Sequence, residues 1–176
     1  MGEKKTKIVL DADVINHFVR GGKLSLLPKI FPEFQYIVLD VVKKELPMLI
    51  LSELIKQISH GIDIREELFN VSGEAKKEYF RLTATNGLHL GKGESACMVY
   101  CKFHNDVVGS SSNTRDITNY CNEHGITYLT TNDFLFYAIR RGLLKKEEAE
   151  EFISIVISMG SNPPKVDFDQ YICSKI

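Results

Sequence analysis

Four short apolar runs punctuate this chain, and helical stretches separate each from the next. The runs are Ile8-Val9-Leu10, Phe34-Gln35-Tyr36-Ile37-Val38-Leu39, Val107-Val108-Gly109 and Ile126-Thr127-Tyr128-Leu129. Each has the length and β-branched content of a buried strand. Helical patterning fills the gaps: Val14 to Arg20, Lys23 to Ile30, Val41 to Leu46, Ser52 to Ser59, Gly73 to Thr85, Gly91 to His104, Asn113 to Glu123, Phe134 to Arg141 and Lys145 to Met159. Ile62-Asp63-Ile64 reads either as loop or as a short edge strand. Strands that alternate with helices argue for a parallel sheet covered on both faces. The expected fold is therefore α/β: a three-layer α/β/α domain around a central, mainly parallel sheet of four to five strands. One domain is expected over residues 1–176, with a core over 7–144, a C-terminal helix over 145–160 and an irregular tail over 161–176.

Bulk properties narrow the function classes. Of the 176 residues, 44% are hydrophobic and 26% charged, as in an ordinary globular protein with a real core. A net charge of -1 gives no global field toward nucleic acid. Any RNA contact has to come from a local patch, such as Lys43-Lys44, Lys76-Lys77 or Arg140-Arg141 with Lys145-Lys146. No apolar run approaches a membrane span, and the charged start lacks a signal-peptide core. A cytoplasmic protein without a membrane partner is expected. The cysteines are Cys97, Cys101, Cys121 and Cys173, with no CxxC pair, so reduced thiols are the default. Cys97, Cys101 and His104 with Cys121 and His124 can be drawn as a zinc site, but small buried thiols explain them better.

The first run ends on Asp11-Ala12-Asp13. If both acids are extended they share one face; if Asp13 caps the next helix, only Asp11 faces the crevice beyond the strand. Further acids fall at similar places. Asp40 and Glu45 follow the second run, and Glu94 opens the helix at Gly93-Glu94-Ser95-Ala96. Asp116 lies early in the helix after the third run, and Asp133 follows the fourth. Any one of them is explained as a cap or first-turn acid. Together, at one end of a parallel sheet, they repel unless a cation neutralises them. Oxygen donors without His or Cys suit Mg²⁺ or Mn²⁺, ions that bind phosphates and activate water.

The ordered set Ile-Val-Leu-Asp11-Ala-Asp13-Val, Val41-Val42-Lys43-Lys44-Glu45-Leu46, Gly93-Glu94-Ser95-Ala96 and Gly125-Ile126-Thr127-Tyr128-Leu129-Thr130-Thr131 resembles a PIN domain, across about Lys7 to Leu144. The resemblance implies a divalent-metal-dependent endoribonuclease, of the kind that serves as toxin in toxin–antitoxin pairs. It implies single-stranded RNA as substrate, an antitoxin protein as partner, and a homodimer; the apolar stripe of Lys145 to Met159 suits either a dimer face or, more often, the core. By position, Asp11, Glu45 and Glu94 match the family's acids, and Asp13 stands where the family carries Asn, Ser or Thr. The acid expected directly after the third strand is replaced by Ser110-Ser111. Asp116, with Asn113 one turn before it, is the candidate replacement, and Asp133 the second choice. The implied site is Asp11, Glu94 and Asp116 on the metal, Glu45 positioning water or a second ion, and Ser110, Asn113 and Arg115 assisting at the phosphate.

Two rival readings use the same residues. Asp11-Ala12-Asp13-Val14 also fits the hydrophobic-DxD pattern of haloacid-dehalogenase-type phosphatases, with Asp11 as nucleophile, Asp13 as general acid and Ser110 at the third strand end. That reading leaves Glu45 and Glu94 unexplained. The missing strand-end acid motivates the other rival, a non-catalytic PIN-like module that binds RNA or protein without cutting.

Overall fold

The computed structural model describes residues 5–84, 90–109 and 114–176, with side chains in the helix after residue 113 described from Ile117 onward. Five parallel strands form one sheet: β1 (Lys7–Leu10), β2 (Gln35–Leu39), β3 (Ile64–Glu67), β4 (Val107–Gly109) and β5 (Tyr128–Leu129). The strand order is β3-β2-β1-β4-β5, every neighbouring pair parallel. Helices cover it: α1 (Ala12–Arg20), α2 (Leu27–Ile30), α3 (Asp40–Lys43), α4 (Met48–Ser59), α5 (Gly73–Thr83), α6 (Lys92–His104), α7 (Thr114–His124), α8 (Thr131–Arg140) and α9 (Lys146–Ser158). This is the expected three-layer α/β/α arrangement. Among the described residues no helix is long and apolar enough to cross a membrane.

β1 lies in the middle because its side chains are apolar on both faces. Ile8, Val9 and Leu10 are all fully buried, as are Ile37, Val38 and Leu39 of β2. A strand buried on both sides reads as a continuous apolar run rather than an alternating one. β3 carries Ile64-Arg65-Glu66-Glu67, with only Ile64 buried. Its charges suit an edge, where they discourage pairing with another chain. The short edge strand read at Ile62-Asp63-Ile64 therefore exists, displaced by two residues toward the carboxyl side.

Several helices start earlier than their periodicity indicates. α4 begins at Met48, directly after Pro47, and α8 begins at Thr131 behind a capping box in which Thr130 and Asp133 bond each other's main chain. Lys23 to Ile30 is split into a 3₁₀ turn, Leu24–Leu26, and the single turn α2, with Pro28 at its start. Cys97, Cys101 and Cys121 are buried in the core, as expected of structural thiols.

Residues 161–176 are irregular but not loose. The Asn132 side chain donates to the Pro164 carbonyl at 2.8 Å, and Tyr137 donates to the main-chain oxygen of Ile176 at 2.6 Å. Phe168 is buried against the body, and Tyr171 and Lys175 reach Asp133. The tail is thus a strap across α8.

Away from the sheet ends, Glu78 ties three helices together. It accepts from Arg81 at 2.8 and 3.0 Å, from Lys102 of α6 at 3.0 Å and from the Tyr120 hydroxyl of α7 at 2.9 Å. The Arg81 bonds, against the opposing effect of burial, hold its carboxyl well below the usual range. Stability from such a group is present above the unfolded-state pKa and is lost as pH falls through the folded one. Removing one partner of a mostly buried charge network costs about 3 kcal/mol. Glu78→Ala is expected to destabilise the protein by that amount in urea denaturation at pH 7, and the difference from wild type should shrink below pH 4.

Candidate active site

The strand order places a topological switch between β1 and β4. The chain leaves β1 toward β2 and β3, then crosses back to β4 and β5 on the other side. Loops diverge at the carboxyl ends of such a pair and leave a crevice where α/β sheets bind ligands. Asp11 stands at that point. Its N–H donates to the Gly109 carbonyl at 2.8 Å, extending the β1–β4 ladder one residue past the strand. Gly109 allows this closeness: a Cβ there would meet Leu10 Cδ2 at 3.3 Å and the Val9 carbonyl oxygen at 3.4 Å.

Asp11 occupies the N-cap position of α1, with extended backbone and no side-chain cap bond. A capping carboxylate would have accepted from the helix's free N–H groups. Asp13 lies in the first turn of α1 rather than at the cap, the place sequence reading gave it as an alternative. The two acids still act on one another. Asp11 is 5% exposed, and burial first, then the charges of Asp13, Glu94 and Glu45, push its carboxyl up to about 8. Only the Ala12 N–H works in the other direction. Burial and Glu45 raise Asp13 as well. The electrostatics therefore put Asp11, Asp13, Glu45 and Glu94 within reach of one another.

Glu45 arrives from beyond α3 and is fixed by α6. Its Oε1 accepts from the Gly93 N–H at 2.8 Å. A Cβ on Gly93 would collide with Glu45 Oε2 and meet the Val42 Cα at 3.4 Å. The Gly-Glu pair at 93–94 thus has a double use: Gly93 leaves room for one acid and Glu94 supplies another, both at a helix N-terminus that favours negative charge. Beneath the acids Cys97 faces the Leu10 carbonyl, with Sγ–O at 3.9 Å, so the floor of the crevice is apolar core.

The remaining sequence-derived residues divide. Asp133 is 1% exposed, yet its surroundings are the reverse of those around Asp11. Burial raises its pKa, but bonds from Lys175 at 2.7 Å, Thr130 N–H at 2.8 Å and Tyr171 at 2.7 Å outweigh that and leave it lowered. It is tied into the cap and the strap, apart from the acid group. Asp40 likewise accepts from the Phe69 N–H at 2.8 Å and from Lys44 at 3.0 Å. Ser110, Ser111, Ser112 and Asn113, and the side chains of Arg115 and Asp116, lie outside the described residues.

Sequence reasoning passed over His17. It is buried on α1 and shares a 2.8 Å hydrogen bond through Nδ1 with Thr131 Oγ1 of α8. Burial, with Arg20 adding to it, lowers its pKa to about 4, so it is neutral. Its place one turn after Asp13, among Val14, Ile15 and Phe18, was the available signal.

The donors are all carboxylate oxygens, the chemistry of a hard divalent cation, and burial of Asp11 among other acids is the condition such a cation would relieve. Among the described residues no three His, Cys, Asp or Glu side chains stand close enough to hold a metal ion by themselves. In comparisons with known proteins, no family model, no curated protein and no solved structure matches the chain.

The raised pKa of Asp11 has a thermodynamic sign. The unfolded chain releases its proton near the ordinary 3.8, while the folded chain holds it to about 8. Between those values stability falls as pH rises, at about 1.4 kcal/mol per pH unit. Asp11→Asn should therefore be more stable than wild type at pH 8 in metal-free buffer, with the gap closing toward pH 4. Urea denaturation across that range checks this; parallel curves would contradict it. Gly93→Ala should displace the Glu45 carboxylate and impair any activity of the site while lowering thermal stability little, since the side chain can swing away.

Proposed function

We propose that the protein is a PIN-type, divalent-metal-dependent ribonuclease that hydrolyses phosphodiesters of single-stranded RNA. What supports this reading is the burial of Asp11 at the switch between β1 and β4 within electrostatic reach of Asp13, Glu94 and Glu45, with no basic side chain of the described residues among the groups that shift it most. A buried acid without such a partner is a functional-site candidate. Asp11 and Glu94 would hold Mg²⁺ or Mn²⁺, with Asp116 as the proposed third ligand. A bound divalent ion supplies two things here, neutralisation of a phosphodiester's charge and a water of lowered pKa.

The chain's own groups set the rest. Glu45, anchored on the Gly93 N–H, is the group to orient the attacking water and accept its proton. Asp13 adds negative charge one turn into α1, which strengthens the demand for a cation. The buried Leu10 and Cys97 below keep the floor dry, which strengthens every electrostatic interaction above it.

The phosphatase alternative needs Asp11 ionised as nucleophile and Asp13 protonated as acid. Here burial falls most heavily on Asp11, which makes it the protonated member of the pair, and Glu45 and Glu94 have no part in that scheme. The non-catalytic alternative draws support from the lack of three closely set donors among the described residues.

The test is metal binding and cleavage together. Titration calorimetry should show Mn²⁺ binding at submillimolar to millimolar metal, and Mn²⁺ should raise the thermal midpoint. A labelled single-stranded RNA should be cut only with the metal, and Asp11→Asn should lower the rate at least a hundredfold. Cleavage that survives Asp11→Asn would refute the site; no Mn²⁺ binding at millimolar metal would leave the binding module. A phosphoenzyme trapped on Asp11 would decide for the phosphatase.

A further inference from the structure

Beside the acids the protein carries a row of aromatic rings that ends in solvent. Phe69 is set at the carboxyl end of β2 by its N–H bond to Asp40. Its ring packs edge-on against Tyr79 of α5, with centroids 5.0 Å apart, and Tyr79 adjoins Phe80 at 6.2 Å. The Tyr79 end is half-buried and within electrostatic reach of Glu45 and Asp40, which with burial raise its phenol's pKa against the opposing effect of Lys44. At the other end Phe80 is 58% exposed, and Lys76 stands 5.9 Å from its ring centre. Lys44, mostly exposed, lies on the Asp40 side of the row.

A lone exposed Phe needs no explanation. What sets this row apart is that its half-buried end lies within electrostatic reach of the proposed reaction site, with Lys76 at its exposed end and Lys44, exposed and ion-paired with Asp40 at 3.0 Å, toward the other. Stacked rings beside lysines are how proteins hold unpaired bases with little regard to sequence, the rings meeting bases and the lysines meeting phosphates. Duplex RNA hides its base faces and would gain only the lysine contacts.

We propose that Phe69, Tyr79 and Phe80, with Lys44 and Lys76, form a ledge on which unpaired RNA bases stack next to the acid crevice. This rests on the ribonuclease reading and names the feature that selects single strands. Phe80 at the open end takes the base that the ledge binds in solution, and Tyr79 carries the strand toward Glu45.

The chain has no tryptophan, so Phe80→Trp introduces a single fluorescent reporter at the ledge. An unlabelled octauridylate is the probe, and all variants carry Asp11→Asn so that it stays intact. Phe80→Trp should bind it within threefold of the parent, and its emission should be quenched as the probe saturates. Phe80→Leu keeps apolar bulk without a π face, and Phe80→Ala removes both; each should weaken binding about tenfold. Circular dichroism and thermal midpoints confirm folding. Undiminished binding by Phe80→Leu, unchanged tryptophan emission at saturation, or equally tight binding of a duplex of the same length would each overturn the ledge; retention by Phe80→Leu would point to a protein partner instead. Failure of the nuclease reading shows separately: quenching by the probe with no Mn²⁺-dependent cutting by the chain bearing Asp11 leaves the ledge standing and the nuclease refuted.

Discussion

The main-chain bond from Asp11 to Gly109 holds the arrangement together. It continues the β1–β4 ladder beyond the last strand residue and sets Asp11 at the switch point with its backbone still extended. The side chain is thereby committed to a place closed on one side by core and on the other by α6. Although Asp11 is the N-cap residue of α1, its carboxylate makes no side-chain cap bond from this position. The apolar content of β1 makes it the central strand, and Asp11 just past its end is buried.

Two buried acids at the same edge of the sheet show what this position costs. Both are almost fully buried, but Lys175, Tyr171 and the Thr130 N–H satisfy Asp133, so its charge is stable. Among the described residues that shift it most, Asp11 has the Ala12 N–H in its favour and like charges against it. An acid that serves architecture is given partners from its own chain, and partners bring its pKa down. An acid left among other acids is stable only as the neutral form or with a cation supplied from outside. The strap of residues 164–176 therefore assigns Asp133 to structure, although in sequence it looks like Asp11, Asp40 and Asp116: one acid just past a strand.

That distinction also marks how far the sequence could be read. The sheet and its helices were legible because buried strands and amphipathic helices have their own periodicities, and Asp11, Glu45 and Glu94 stood out as candidates because they sit past strand ends and in a first helical turn. β3 was doubtful because an edge strand with Arg65-Glu66-Glu67 has almost no apolar signal. The strap was invisible, since Asn132 to Pro164 and Asp133 to Lys175 are contacts between residues 32 and 42 positions apart, and no local pattern announces them. The aromatic row was hidden for the same reason: Tyr79 and Phe80 read as ordinary helix residues until Phe69 is folded against them. Gly93 looked like part of a motif, and its physical use became clear only with Glu45 pressed against it.

The fold also supplies part of the compensation that the acids need. Asp11 stands at the N-terminus of α1 with Asp13 in its first turn, while Glu94 occupies the first turn of α6 and Glu45 accepts from an N–H of that same turn. Two helix N-termini thus point partial positive charge into one crevice, each worth a few tenths to about 1 kcal/mol per nearby anion. That offsets part of the repulsion among the acids but does not ionise the buried one, since Asp11 remains raised to about 8. On the proposed reading the helix ends hold the acids in the intermediate condition that a reversible metal site requires.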